Sequence, residues 1–294
     1  MPKLYIVATP IGNLQDLSPR MREALETCDL VAAEDTRVTM KLLQVLGIHK
    51  PMLSCHRHNE EDRGDALISR MLEEDLCVAL TCDAGTPGIS DPGEGVVARA
   101  WEAGIELSPV SGPSAVATAL SVCGFDTREF AFYGFLPRES KALREKLSLI
   151  HQTGIPVAVL YESPHRVVKL LGQIAESLPG ARACVCCDLT KKFERIDRGE
   201  IAQVHARLAG LENVEKGEYC VVLDLSRLPS PKAVSAPDEA QTPEVQLAAR
   251  MLAGESLTDA MEALKSSGVR RNDLYRASLN LKRLAQTLLS DEQA

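Results

Sequence analysis

Val78-Ala79-Leu80-Thr81-Cys82-Asp83-Ala84-Gly85-Thr86-Pro87-Gly88-Ile89-Ser90-Asp91-Pro92-Gly93 is the stretch that decides the fold class. An apolar run of strand length stops at Asp83, glycines and prolines follow, and a helical pattern of Val96, Val97, Ala100 and Trp101 takes over. That order is strand, loop, helix. In an open α/β sheet such a loop lies at the carboxyl end of its strand, where ligands bind, and its glycines let a ligand approach the main chain.

Working outward, the same alternation recurs across the first half. Strands are expected at 4–8, 30–33, 51–55, 76–81 and 105–110. Helices are expected at 18–25, where Ser18-Pro19 supplies a cap and a first-turn proline, at 39–46 ending on Gly47, at 62–72, and from Ser114 to 122. Repeated β–α units call for a mostly parallel sheet with helices on both faces. At 125–137 the periodicity breaks into an aromatic run that reads as a domain junction. Beyond it come a helix at 141–150, strands at 156–161, 183–188 and 218–225, a shorter segment at 193–198, a helix opened by Ser163-Pro164, and another at 201–208. Strands that follow one another without long helices suggest a more antiparallel sheet. Pro229, Pro231, Pro237 and Pro243 mark a linker across 226–243, and 244–290 reads as three short helices. The expected divisions are an N-terminal α/β domain at 1–124, a second α/β domain at 125–228, a linker at 229–243 and a helical module at 244–294.

The 294 residues are 45% hydrophobic and 25% charged, which is ordinary globular usage and predicts a soluble protein. The first residues are too short an apolar run for a signal peptide, and no stretch approaches a membrane span. Nine cysteines without zinc-ribbon or disulfide-scaffold spacing fit reduced thiols in a cytoplasm. A formal charge of −8 argues against a protein that coats nucleic acid through global charge. Residues 265–283 run against that trend, with Lys265, Arg270, Arg271, Arg276, Lys282 and Arg283 opposed by Asp273 alone. Solvated helix surface and RNA contact explain that patch equally well.

Several strand ends carry chemistry. Thr9-Pro10-Ile11-Gly12-Asn13 follows the first strand but has a single glycine, so it is not a dinucleotide fingerprint. Glu34-Asp35-Thr36-Arg37 ends the second strand, where its two carboxylates are able to act as base, orient a substrate or form a structural ion pair. His56-Arg57-His58-Asn59 lacks metal-ligand spacing and reads as a polar loop, and Cys184, Cys186 and Cys187 read as core. Tyr161-Glu162-Ser163-Pro164-His165-Arg166 and Asp188-Leu189-Thr190-Lys191-Lys192 end later strands. Together these ends point to a cleft between two domains.

These motifs, with Ser111-Gly112-Pro113-Ser114-Ala115 and Gly134-Phe135-Leu136-Pro137, resemble the tetrapyrrole methylase family from about residue 4 to residue 282. Within it they are similar to the branch that methylates the 2′-hydroxyl of a decoding-centre cytidine in 16S ribosomal RNA on the 30S subunit. The resemblance implies two α/β domains with S-adenosylmethionine in the cleft between them, usually as a homodimer, without metal or membrane. By motif position Pro10, Gly12, Asp83, Ala84, Gly85, Thr86, Ser90, Ser114 and Ala115 would border the cofactor. Two departures stand out: Ser111 where the family usually has proline, and Cys187-Asp188 where it has Arg-Glu. Glu34, Asp35 and Lys191 are the candidates for activating the ribose hydroxyl, and Arg37, Arg166, Lys192, Arg270 and Arg271 for holding RNA phosphates. The rival readings are a tetrapyrrole C-methylase, an RNA-binding assembly factor without turnover, and a metal-dependent hydrolase using Glu34, Asp35 and His56.

Overall fold

The computed structural model describes residues 1–57, 60–229 and 242–291. The chain divides into two compact units, Met1–Pro229 and Ser230–Ala294.

The first unit holds two five-stranded sheets. Strands β1 (Lys3–Val7), β2 (Leu30–Ala33), β3 (Met52–Ser54), β4 (Cys77–Thr81) and β5 (Glu106–Val110) form the first, in the order β3-β2-β4-β1-β5 and all parallel. Alternation sends successive residues of one strand to opposite faces. Leu30 and Ala32 join Leu4, Leu80, Leu67, Met71 and Val96 on one face, beneath α3 (Glu60–Glu74) and α4 (Glu94–Glu102). Val31 and Ala33 join Val7, Ala79, Met21, Leu25 and Leu43 on the other, beneath α1 (Pro19–Thr27) and α2 (Thr36–Leu46). Because both faces are covered, β2 and most of β4 are buried throughout and carry continuous apolar runs. Local signals set the helix ends: the Ser18 hydroxyl accepts from Met21 N at 3.1 Å to start α1, and Gly47 closes α2 at φ 70°.

Neighbouring β1 and β4 send their following loops to opposite sides of the sheet, which opens a crevice at their carboxyl ends. Across it Thr9 N donates to Gly85 O at 2.8 Å and Gly85 N to Thr9 O at 3.1 Å, so the two loops are fastened together.

The second sheet runs β6-β7-β10-β8-β9, from β6 (Phe130–Phe135), β7 (Val157–Glu162), β8 (Arg182–Cys187), β9 (Arg195–Glu200) and β10 (Tyr219–Asp224). Its β6–β7 pair is parallel and the other pairs are antiparallel, so the sheet is mixed. The aromatic run expected to be a junction is β6 itself; a register shift between Phe132 and Gly134 is what spoils its alternation. α6 (Ser140–Gln152), α7 (Val167–Ser177) and α8 (Ile201–Ala209) cover one face. α5 (Ala115–Cys123) covers the other: although it follows β5 in the chain, its Val116, Ala119 and Cys123 pack on Val157, Val159, Cys184, Cys186 and Val222 of the second sheet. The expected start of α7 at Ser163-Pro164 needs correcting. Residues 163–166 form a turn closed by Arg166 N donating to Ser163 O at 3.0 Å, and the helix begins at Val167.

Immediately after α5 the chain is held by two arginines of the second sheet. The guanidinium of Arg182 lies 5.0 Å from the Phe125 ring centre and that of Arg198 4.7 Å. Arg198 also donates to the carbonyls of Cys123 at 2.6 Å and Gly124 at 3.1 Å, while Arg182 pairs with the buried Asp224. All nine cysteines are free thiols, and Cys184, Cys186 and Cys187 lie in the core.

The second unit contains α9 (Pro243–Leu252), α10 (Leu257–Ser266) and α11 (Arg271–Asp291) around a small core of Leu247, Ala260, Leu264, Leu274 and Ala277. The last helix is 21 residues long rather than short. Most of the expected linker lies outside the described residues, and its final residue, Pro243, is the first of α9. Among the described residues no helix is long and apolar enough to cross a membrane.

Candidate active site

A cavity of about 410 Å³ opens where the carboxyl ends of the first sheet face the second. On the first-sheet side it is lined by Ile11, Glu34, Asp83–Thr86 and Ile89–Asp91, and by Ser114 and Ala115 at the start of α5. On the other side stand Phe135, Tyr161–Pro164, Cys186, Leu189 and Glu218–Cys220. The 83–93 loop keeps its shape through left-handed backbone at Gly85 (φ 84°), Gly88 (φ 80°) and Ser90 (φ 66°). Ser90 is the costly case, since a non-glycine residue in that region persists only where its surroundings hold it. At Gly134, also left-handed, an added Cβ would lie 3.0 Å from the Ser90 hydroxyl oxygen, so this glycine lets the loop close on β6.

Of the expected cofactor residues, Asp83, Ala84, Gly85, Thr86, Ser90, Ser114 and Ala115 line this cavity together. Pro10 and Gly12 do not. The Thr9–Gly85 bridge turns the first loop so that Ile11 faces the main cavity, while Pro10 and Gly12 line a second recess of about 200 Å³ against α2, with Asp83 between the two. Gly12 is packed on the Lys191 stem, so closely that a Cβ there would sit 2.4 Å from Lys191 Cγ.

The three candidates for activating a hydroxyl differ sharply. Glu34 is partly buried; burial raises its pKa and outweighs the hydrogen bond from Asp83 N to its Oε2 at 3.2 Å. Asp35 points away into helix capping: it accepts from Arg37 N at 2.8 Å and forks with the Arg37 guanidinium, which holds its carboxyl down at about 2. A carboxylate held so low is a weak base. Burial works to lower the Lys191 pKa, but its contacts with Glu218 at 3.0 Å and Asp188 at 3.3 Å more than reverse this, so it stays protonated. Lys191 donates hydrogen bonds and does not accept a proton.

Asp91 was outside the expected site set, and it is the most perturbed carboxylate in the cavity. Burial first, then the charges of Glu34 and Asp83, push it up to about 6. Tyr161, held up by burial, and Glu162 also line the cavity. Their motif was visible in the sequence as a charged strand end. Glu218, Tyr219 and Cys220 were not legible as site residues, because they begin an antiparallel strand whose amino end meets the cavity.

The expected phosphate contacts fare differently. Arg166 is engaged inside the fold, donating to Pro137 O at 3.2 Å and lying 3.3 Å from Glu162 Oε2, with its side chain 23% exposed. Arg37 is 87% exposed at its side chain although paired with Asp35, and Lys192 lies over the ring of the exposed Phe193. Arg270 and Arg271 are exposed around the start of α11 in the second unit. Among the described residues no three histidines, cysteines or acids are grouped to hold a metal. His58 and Asn59 lie outside the described residues.

The cavity suits an adenosyl cofactor on three grounds. Its volume is in the range of small-molecule sites, about 300–1,000 Å³. Gly85 brings bare main chain to its wall. Glu162, whose buried Oε2 makes no hydrogen bond and stands 3.3 Å from the Arg166 guanidinium, puts a carboxylate in the lining for the donor groups of an adenosyl ligand.

Comparison with known proteins agrees in sequence and in fold. The profile of the family described as Tetrapyrrole (Corrin/Porphyrin) Methylases matches residues 3–205. A protein of Pseudomonas aeruginosa named "Ribosomal RNA small subunit methyltransferase I" is 38% identical over 278 residues, covering 94% of this chain and 96% of that one. Proteins of the same name from Xylella fastidiosa (43% identity, 75% of this chain and 80% of that one) and Synechocystis (38%, 93% and 90%) are also similar. Among solved structures, uroporphyrin-III-C-methyltransferase from Thermus thermophilus shares the fold, with a TM-score of 0.51 and 20% identity over 76% of this chain and 95% of that one.

Proposed function

The chain belongs to the tetrapyrrole methylase family, and from that membership we propose that it methylates 16S ribosomal RNA in the small subunit, at the ribose 2′-hydroxyl of a decoding-centre cytidine, with S-adenosylmethionine as donor. The observation that carries the reading is the cavity at the crevice between β1 and β4, in a chain similar over nearly its whole length to proteins named for small-subunit RNA methylation.

Asp83, Ala84, Gly85, Thr86, Ser90, Ser114 and Ala115 would hold the cofactor from the first-sheet side. When bound, S-adenosylmethionine supplies a methyl group already activated by the positive sulfur. What is asked of the protein is to orient the ribose oxygen and to relieve it of its proton. Glu34 is our candidate for that proton: its Oε2 is held by Asp83 N, Oε1 remains to accept, and its raised pKa makes it a better base than Asp35. Lys191, held protonated, would polarise the same oxygen. Arg37, Lys192, Arg270 and Arg271 would meet RNA phosphates, and their exposure supports this. The homodimer implied by the family is our reading of the assembly, and light scattering at twice the 31.9 kDa chain mass would support it.

The test is transfer of labelled methyl from S-adenosylmethionine to undermethylated 30S subunits and to a tetrapyrrole precursor in parallel, with the RNA label mapped by nuclease digestion. Label in a 2′-O-methylcytidine is the expected result. Label in the macrocycle, or in neither, rejects the reading.

A further inference from the structure

Five carboxylates line the main cavity, from Glu34, Asp83, Asp91, Glu162 and Glu218, and among the described residues no lysine, arginine or histidine joins them. Two of the five have a cation beside them. Glu218 is paired with Lys191 at 3.0 Å, and Glu162 has Arg166 at 3.3 Å. The other three stand together at the carboxyl ends of β2 and β4 and in the loop that follows. Two of them accept from main chain, Asp83 from Asp35 N at 3.1 Å and Glu34 from Asp83 N at 3.2 Å, while Arg57 opposes Glu34 and Asp91, and Arg37 opposes Asp83, only through space. Burial disfavours their charged forms, and repulsion from neighbouring carboxylates adds to the cost. All three pKa values are raised accordingly. A positive charge inside the cavity would relieve that repulsion. The buried Oε2 of Glu162, ion-paired with Arg166 yet without a hydrogen bond, leaves an acceptor in the same lining for a ligand that brings a donor.

We propose that Glu34, Asp83 and Asp91 make this cavity select its occupant by the charge at sulfur, so that it holds the cationic sulfonium donor and releases the neutral thioether product. This rests on the cofactor assigned above and goes beyond it. The donor and S-adenosylhomocysteine share adenosine, α-amine and α-carboxylate, and differ by one methyl group and one unit of charge. In a cavity partly shut off from water that unit of charge interacts strongly with nearby carboxylates. The Glu162 acceptor serves both molecules alike, since both carry the same amines and hydroxyls. The discrimination therefore lies with the carboxylate trio, and transfer of the methyl group removes the charge that holds the ligand.

The experiment is calorimetric titration of the full chain at pH 7.5 with three ligands: S-adenosylmethionine, neutral S-adenosylhomocysteine, and sinefungin, which carries a protonated amine in place of the sulfonium. Wild-type protein is expected to bind the two cationic ligands at least about tenfold tighter than the neutral one, a difference of about 1.4 kcal/mol. Asp91→Asn is expected to weaken both cationic ligands by about tenfold and to change S-adenosylhomocysteine by less than about twofold. Glu34→Gln provides the same comparison if the first variant folds poorly, and neutral-ligand binding reports that each variant is folded. Equal affinity of the wild type for all three ligands overturns charge selection while leaving the cofactor reading intact. Failure to bind any of them overturns both.

Discussion

Glu34 and Asp91 share one cavity and have raised pKa values for different reasons. Glu34 is raised mainly by burial and restrained by one main-chain hydrogen bond, whereas Asp91 carries burial and the repulsion of two neighbours. Glu34→Gln keeps size and loses the proton acceptor, so kcat on 30S subunits should fall by about 10²–10⁴ while donor affinity falls by only about tenfold. Loss of affinity with unchanged kcat would move the role elsewhere. Asp91 makes a stability statement of its own. Its folded pKa of about 6 lies above the ordinary 3.8, so the folded chain binds this proton more tightly than the unfolded one. Its contribution is full below 3.8 and is lost as pH rises through 6. Asp91→Asn should therefore raise the melting temperature relative to wild type at pH 7.5, by roughly a few degrees, and leave no such gain at pH 4. At this scale the 83–93 loop was readable, because glycine and proline reveal backbone that a ligand approaches. Arg166 was not, since nothing in a linear sequence says that a guanidinium will end on the carbonyls of Leu136 and Pro137.

Elements were legible where a local signal fixed them. Ser18-Pro19 started α1, Gly47 ended α2, and apolar runs marked β2 and β4, because each depends on its own few residues. β6 was misread for a physical reason: its register shift puts Phe132, Gly134 and Phe135 out of alternation, and a strand recognised by period two disappears at a bulge. The start of α7 was obscured likewise, because Glu162 Oε1 accepts from Ser163 N at 2.7 Å and directs Ser163 into a turn. A direct check on the local reading is the α1 cap. Ser18→Ala should cost about 1 kcal/mol and lower the melting temperature by about 2–4 °C, while Ser18→Gly should cost only a few tenths of a kcal/mol. Equal loss in both variants would mean that the hydroxyl's bond to Met21 N is not what holds the helix start.

On the scale of the whole molecule, the sequence marked a proline-rich stretch ahead of a helical tail, and the chain divides into compact units at 229. It did not reveal that α5, contiguous with the first sheet, packs its apolar face on the second, since a helix stripe reports that it is buried and not against what. A chain ending at 229 should keep its melting transition and bind S-adenosylmethionine within about threefold of the full chain, because donor contacts and the −8 net charge's local basic exception lie in different units. Its methyl transfer to 30S subunits should fall by at least about tenfold if Arg270 and Arg271 hold RNA, and unchanged transfer would remove them from that role. The arginines clasping Phe125 and the carbonyls of Cys123 and Gly124 bear on time as well as on form. Those bonds tie α5 and the chain after it to the second sheet, and Ile11 in that sheet's core, with Gly12 packed on Lys191, ties the first sheet to it, which leaves little freedom for the sheets to swing apart. Donor capture should then be a single encounter, with a stopped-flow rate that climbs linearly with ligand concentration. A plateau would reveal a closing step, whereas a straight line would mean that the chamber stands ready before its occupant arrives.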